Sequence, residues 1–141
     1  MIPNILIYAC DKADLKRQQV AIELLSSAHD GVLLWQVACE FVAASRKLGS
    51  QGFTTVDAWQ RLADYMALFP LILPAAGAFG RARILHLEDG WSFWDAMIVA
   101  ACLECRVSRL YSEDLPGRAV RGPLEIVNPF APTLTPGTPI T

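Results

Sequence analysis

Short apolar runs alternate along this chain with longer segments that carry apolar residues at helical spacing. The runs at 32–35, 71–73, 107–111 and 124–127 lie between turn residues and predict short buried strands. The segments at 15–28, 36–48, 54–68 and 75–87, and a fifth that begins at Ser92, predict helices. Residues 4–9 fit either a strand or a buried turn of helix. The alternation predicts an α/β fold with a mainly parallel sheet covered on both faces.

Several helix ends are marked by residues with known capping preferences. Asp14 is a predicted N-cap of the first helix, and Thr54 or Thr55 is a predicted N-cap of the third. Gly49 follows the second helix at a position that favours a C-cap.

The helix that begins at Ser92 has no charged residue from 96 to 103, which is typical of a core helix. Asp95 lies at its start, and Asp114 follows the predicted strand at 107–111. Ligands of open α/β sheets bind at the carboxyl ends of strands, where these two acids can meet. Two carboxylates that meet repel each other unless a cation lies between them. The pattern therefore indicates a divalent-metal site.

Each candidate acid also has an ordinary structural explanation. Asp95 fits a capping box with Ser92. Glu40 lies in the second helix, where it can share a solvated polar stripe with Gln36. Asp114 lies in a loop, where acids are common. Taken together, the three acids favour Mg²⁺ or Mn²⁺, which prefer oxygen ligands and can support displacement at phosphorus.

The composition is that of one globular domain of 141 residues, long enough for a single core. The net charge is −2, so the chain as a whole lacks the basic character of most nucleic-acid-binding domains. Arginines nevertheless surround the loop of Asp114, either as a local basic patch for nucleic acid or as solvated surface residues. They are Arg106, Arg109, Arg118 and Arg121.

Targeting and redox signals favour a cytoplasmic protein. No segment reaches the roughly 18 to 20 uninterrupted apolar residues that a membrane helix needs. The N-terminus has no basic region before an apolar run, so no signal peptide is predicted. Cys102 lies within an apolar helical pattern, where cysteine behaves as a small buried hydrophobe, and the CxxC that it forms with Cys105 has no second pair at zinc spacing, which disfavours a zinc or redox site. A reducing compartment is the default for such cysteines.

Five segments resemble, in their order and spacing, the PIN-domain nucleases, and in particular the VapC-type ribonuclease toxins of prokaryotic toxin–antitoxin pairs. They are NILIYACD at 4–11, WQVACEF at 35–41, WSFWDAMIVAACLE at 91–104, RLYSEDL at 109–115 and LEIVNPF at 124–130. The WDA and YSEDL pair is the most specific part of the resemblance.

The resemblance implies a three-layer α/β/α sandwich and metal-dependent cleavage of RNA. Glu40, Asp95 and Asp114 match three acids that hold Mg²⁺ or Mn²⁺ in the family. Ser112 matches a hydroxyl position near the fourth acid, and Asn4 matches the asparagine of the family's opening motif. The nuclease domain is expected to span residues 1–128, followed by a proline-rich tail at 129–141 in which Phe130 docks first. The implied partners are RNA, a protein antitoxin that covers the site, and a second copy in a homodimer.

The chain departs from the family in the opening motif, where Ile2 stands at the position of the first acid. The family's first strand lies mostly before that acid, in the middle of the sheet, and is largely missing here. We therefore expect an N-terminally extended version to melt at a higher temperature than the chain as written.

Two alternative functions stay open. One is a catalytically inactive PIN-fold protein that acts by partner binding, and the other is an unrelated doubly wound ligand-binding domain.

Overall fold

The computed structural model describes residues 5–113, 115 and 122–131, which form a mostly helical α/β structure. The helices are α1 (Ile5–Tyr8), α2 (Leu15–Ser27), α3 (Trp35–Ala44), α4 (Thr55–Leu68), α5 (Ala78–Leu87) and α6 (Phe93–Glu104). A 3₁₀ segment, Ser45–Gln51, continues α3. The strands are β1 (Leu33–Leu34), β2 (Leu71–Ile72), β3 (Arg109–Tyr111) and β4 (Glu125–Val127). No helix in these ranges is both long enough and apolar enough to cross a membrane.

The four strands form two separate sheets of two parallel strands each. β1 pairs with β2, with Leu34 beside Ile72, and β3 pairs with β4, with Leu110 beside Ile126. The predicted parallel direction is therefore confirmed for both pairs. One continuous sheet, as a three-layer sandwich requires, is not confirmed among the described residues.

The apolar run at the start of the chain forms a helical turn rather than a strand. Ile5, Leu6 and Ile7 of α1 are all buried, so the run is apolar because the core surrounds it. Its periodicity did not distinguish these two outcomes. Residues 1–4 lie outside the described ranges, and the shortened first strand expected there stays a prediction.

Helix α6 is the centre of the larger core, as its uncharged sequence predicts. Val99 and Cys102 are completely buried, and α5 packs along the helix through Ala82 and Leu85. Burial raises the pKa of the Cys102 thiol to about 12, and the neighbouring Cys105 adds to this effect. Because thiolates are the reactive form of cysteine, Cys102 acts here as a small buried hydrophobe.

A second core joins α1, α3 and α4 on the other side of β1. The rings of Phe41 and Tyr65 meet edge to face with their centroids 5.4 Å apart. The Tyr65 hydroxyl donates to the backbone carbonyl of Leu6 at 3.2 Å and so attaches α1 to α4. The residue next to Phe41 is Glu40, so this core fixes the position of a predicted site acid.

The predicted helix caps are confirmed at two N-termini and wrong at one C-terminus. Asp14 accepts the backbone N–H of Arg17 and caps α2. Thr54 caps α4. The second helix does not end at Gly49, because its 3₁₀ extension continues to Gln51 and closes at Gly52. Gly52 has φ +81°, a left-handed conformation that glycine adopts without strain.

Replacing Thr54 by alanine is expected to lower the free energy of unfolding by about 1 kcal/mol. The Thr54 hydroxyl accepts the Asp57 N–H at 3.1 Å, and the Asp57 carboxylate accepts the Thr54 N–H at 2.8 Å. The substitution removes one half of this reciprocal box. Urea denaturation followed by circular dichroism measures the loss. Thr55→Ala is the matched control, and an equal loss in both variants would contradict the assignment of the cap.

Candidate functional site

Gln36 joins α3 and α6 at the point where two of the predicted site acids lie. Its Nε2 donates to Oε1 of Glu40 at 3.1 Å and to the backbone carbonyl of Trp94 at 3.2 Å. Trp94 directly precedes Asp95 in the first turn of α6. A single amide therefore holds Glu40 near Asp95, although the two acids are far apart in the sequence.

The environment of Glu40 disfavours its negative charge. Glu40 is half-buried, and this burial raises the pKa of its carboxyl group, with the nearby charge of Asp95 adding to the effect. The hydrogen bond from Gln36 acts in the opposite direction but does not cancel the rise. A cation placed between the two acids would relieve both their repulsion and the cost of their burial.

The capping explanation for Asp95 accounts for its backbone but not for its carboxylate. Ser92 is the N-cap of α6, and its hydroxyl accepts the Asp95 N–H at 3.4 Å. Within the described part of the chain, the Asp95 carboxylate accepts no hydrogen bond in return, so the predicted box is half formed. The half-buried carboxylate is available to a ligand.

The remaining predicted site residues are described only in part. Ser112 is buried just after β3, where its N–H donates to the Val127 carbonyl at 2.9 Å and its hydroxyl accepts the Leu115 N–H at 3.3 Å. Ser112 therefore joins the end of β3 to both Val127 and Leu115. Asp114 and Asn4 themselves lie outside the described residues. Across the ranges that are described, no group of three His, Cys, Asp or Glu side chains lies close enough to hold a metal.

Two of the four arginines predicted around this loop can be placed. Arg109 is exposed and pairs with Glu125 at 3.3 Å across the β3–β4 pair. Arg106 ends the turn after α6 with φ +57°. Arg118 and Arg121 lie outside the described residues. Arg109 therefore forms an exposed ion pair. Because such pairs contribute little to stability, Arg109 can exchange Glu125 for another anionic group.

A cluster around Glu113, which the sequence analysis did not identify, holds the loop to the N-terminal helices. The Tyr8 hydroxyl donates to Oε2 of Glu113, and Arg17 donates to Oε1 through Nε at 3.0 Å and through a second guanidinium nitrogen. Burial alone would raise the pKa of Glu113, but the hydrogen bonds from Arg17 and Tyr8 outweigh it and lower the pKa. The charge of Glu113 is therefore balanced by Arg17, and these contacts join the residue after β3 to α1 and α2.

The same cluster confirms the predicted docking of Phe130. Its ring lies 4.9 Å from that of Tyr8, edge to face, and the Arg17 guanidinium lies over both rings at 5.6 and 5.7 Å. A signal for the cluster was present in the sequence, since Glu113 is the other acid of the YSEDL motif. Its partners are about 100 residues away in the chain, so local patterns do not reveal them.

Comparisons with known proteins leave the family of this chain open. No model of a protein family matches the sequence, and no curated protein matches it either. The assignment of a function therefore depends on the residues themselves.

Proposed function

We propose that this chain is a metal-dependent ribonuclease of the toxin type, with a PIN-like three-layer α/β/α fold. The observation that supports the proposal best is the pair formed by Glu40 and Asp95. Gln36 fixes these two acids near each other at a helix start, although their charges repel and Glu40 loses hydration. Acids whose pKa is raised by burial, as that of Glu40 is, cluster at functional sites more often than elsewhere.

The donor set suits a hard divalent cation. In the proposal, Glu40, Asp95 and Asp114 hold Mg²⁺ or Mn²⁺, and Asn4 and Ser112 lie close by. Such a cation, when bound, stabilises charge on the phosphoryl oxygens and lowers the pKa of water for phosphodiester hydrolysis. The raised pKa of Glu40 favours its proton in the metal-free protein, so binding is expected to release that proton.

Exposed aromatic residues beside the acids support single-stranded RNA as the substrate. Trp94, next to Asp95, has 65% of its surface exposed, and Trp35, next to Gln36, has 51% exposed. Bases stack on such side chains in a way that tolerates many sequences. Arginines near the loop of residue 114 supply backbone contacts, which position the strand without reading its sequence.

Manganese-dependent cleavage of a fluorogenic single-stranded RNA is the test. The chain as written is expected to cleave with Mn²⁺ and not with EDTA, and Asp95→Asn is expected to reduce the rate at least about 100-fold, since loss of a metal-binding group costs that much or more. The control is Asp64→Asn, which makes the same change at an exposed acid of α4 whose neighbour is Gln60. Cleavage that survives Asp95→Asn, or that Asp64→Asn reduces equally, would contradict the proposed site.

The second candidate function is partner binding by a catalytically inactive protein of the same fold. The presence of Ile2 at the position of the family's first acid favours it. In that case neither Mn²⁺ nor Mg²⁺ supports cleavage, while the partner still binds.

The proposed partners in both cases are a protein antitoxin and a second copy of the chain. The proposed location is the cytoplasm. The four cysteines are free, as in most proteins of reducing compartments.

A further inference from the structure

Three exposed rings form a continuous line that ends beside the acid pair. The His86 ring of α5 meets the Phe93 ring of α6 with centroids 6.1 Å apart, and the Phe93 ring meets that of Trp94 at 4.9 Å. Phe93 has 45% of its surface exposed, and His86 is exposed as well. Because Trp94 directly precedes Asp95, the line of rings is continuous with the candidate metal site.

Helix α5 extends this line away from the acids. Phe79, Arg83 and His86 are spaced by four and three residues, so they share one face of the helix. Phe79 has 63% of its surface exposed, and Arg83 is exposed. With a helix rise of about 1.5 Å per residue, the line from Phe79 to Trp94 is roughly 20 Å long. Its length suits about six stacked nucleotides at about 3.4 Å each, or fewer in an extended strand.

The charge of α5 is suited to a phosphate backbone. The helix carries Arg81, Arg83 and His86 and no acidic residue. Arg81 forms an ion pair with Glu104, whereas no acid in the described part of the chain pairs with Arg83. A guanidinium group can donate two parallel N–H bonds to one phosphate. Arg83 is therefore available to an anion in the middle of the line.

A protein surface is the rival occupant, since exposed aromatic residues and arginines are also common in protein interfaces. Two observations favour a nucleic acid. The rings form a narrow line that continues to the acid pair, and the helix that carries the far half of the line has only basic charges. Proteins that bind single strands combine stacking rings with positive charge in this way.

We propose that these five side chains form a track that binds single-stranded RNA on one side of the cleavage site. The aromatic track consists of Phe79, Arg83, His86, Phe93 and Trp94. Bases stack on its rings, and Arg83 contacts a phosphate. The choice of RNA rests on the proposed function, but binding along the track requires neither metal nor cleavage.

Binding of RNA to the purified full chain in EDTA tests the aromatic track apart from catalysis. The probe is a fluorescein-labelled RNA of about eight nucleotides, and saturable binding is expected. Trp94→Leu is expected to weaken this binding at least about fivefold, because a stacked ring is lost. The Gln36 bond to Trp94 ends on the backbone carbonyl, so this substitution leaves it in place. Trp94→Phe keeps a ring and is expected to retain most of the affinity.

Two controls separate stacking from general effects. Trp59 lies on α4 with 59% of its surface exposed, and Trp59→Leu is expected to leave RNA binding unaltered. A ribose-phosphate oligomer of the same length but without bases is expected to bind more weakly than the RNA. Its affinity is expected to be the same for the unaltered chain and for Trp94→Leu, because it has no base to stack.

The salt dependence of RNA binding tests the phosphate contact. Arg83→Gln is expected to reduce the slope of log Kd against log salt concentration by about 0.7 to 1, the contribution of one phosphate contact. Arg46→Gln makes the same change at an exposed arginine of the 3₁₀ segment and is expected to leave the slope unaltered.

Four outcomes would overturn the aromatic track. They are no saturable RNA binding in EDTA, equal binding of the base-free oligomer, equal losses in Trp94→Leu and Trp59→Leu, and an unaltered salt slope in Arg83→Gln. Self-association that Trp94→Leu weakens, with RNA binding unaltered, would also contradict it and assign the line of rings to a protein interface.

Failure of the track and failure of the nuclease function give different results. RNA binding in EDTA that depends on Trp94 and Arg83, without cleavage in Mn²⁺, supports the track and contradicts the nuclease function. Cleavage in Mn²⁺ with the same KM in Trp94→Leu, Arg83→Gln and the unaltered chain supports the nuclease function and overturns the track.

Discussion

Replacing Phe41 by alanine is expected to lower the free energy of unfolding by about 3 to 5 kcal/mol. The Phe41 side chain is completely buried between α3 and α4 and meets the ring of Tyr65 edge to face. The substitution removes apolar contacts, loses an aromatic pair and leaves a cavity that the surrounding helices fill only in part. Urea denaturation followed by circular dichroism gives the change in free energy.

The chain contains a matched control for this substitution. Phe79 lies on α5 with 63% of its surface exposed, and Phe79→Ala is expected to change stability by no more than about 0.5 kcal/mol. Equal losses in the two variants would contradict the core described around α3 and α4. Glu40 lies on the same helix as Phe41, so a large loss of stability in Phe41→Ala would also disturb the position of Glu40. Any change in metal binding by Phe41→Ala must therefore be measured under conditions in which the variant is folded.

Features that depend on neighbours in the sequence could be predicted. The N-caps Asp14 and Thr54 and the core helix α6 follow from residues within one or two helical turns. The end of the second helix could not be predicted as well. Gly49 and Gly52 both suit a helix end, and the local sequence does not show that a 3₁₀ segment with buried Leu48 continues to Gly52.

Pairing between strands could not be predicted, because it depends on contacts between distant residues. The apolar runs gave the positions of the strands, but not their division into two sheets.

The candidate site could also be predicted only in part. Asp95, Asp114 and Glu40 were expected to converge; the structure places Glu40 near Asp95, whereas Asp114 lies outside the described residues, so its place in the site stays a prediction. The part played by Gln36 was missed, because its hydrogen bond joins it to Trp94, which is 58 residues away in the sequence.

Glu40→Gln is expected to raise the stability of the metal-free protein at pH 7 and to abolish its metal response. The folded-state pKa of Glu40 is raised, chiefly by burial, so the folded chain holds this proton to a higher pH than the unfolded chain does. Stability is therefore lost as pH rises from the unfolded pKa through the folded one. Glutamine removes this loss, and its side-chain oxygen can still accept from Gln36. The melting temperatures of the two proteins are expected to converge below about pH 4.

In contrast to its effect on the stability of the metal-free protein, Glu40→Gln is expected to weaken metal binding and RNA cleavage. Mn²⁺ should raise the melting temperature of the unaltered chain and not that of Glu40→Gln, since ligands stabilise the form that binds them. RNA cleavage should fall at least about 100-fold in the variant. Glu23→Gln on the exposed face of α2 is the control and should change none of these quantities. A solvated surface acid gives no gain in stability and no loss of activity. A site acid gives both the gain in stability and the loss of activity. Burial disfavours the charge of Glu40 in the metal-free protein, and a bound cation stabilises that same charge.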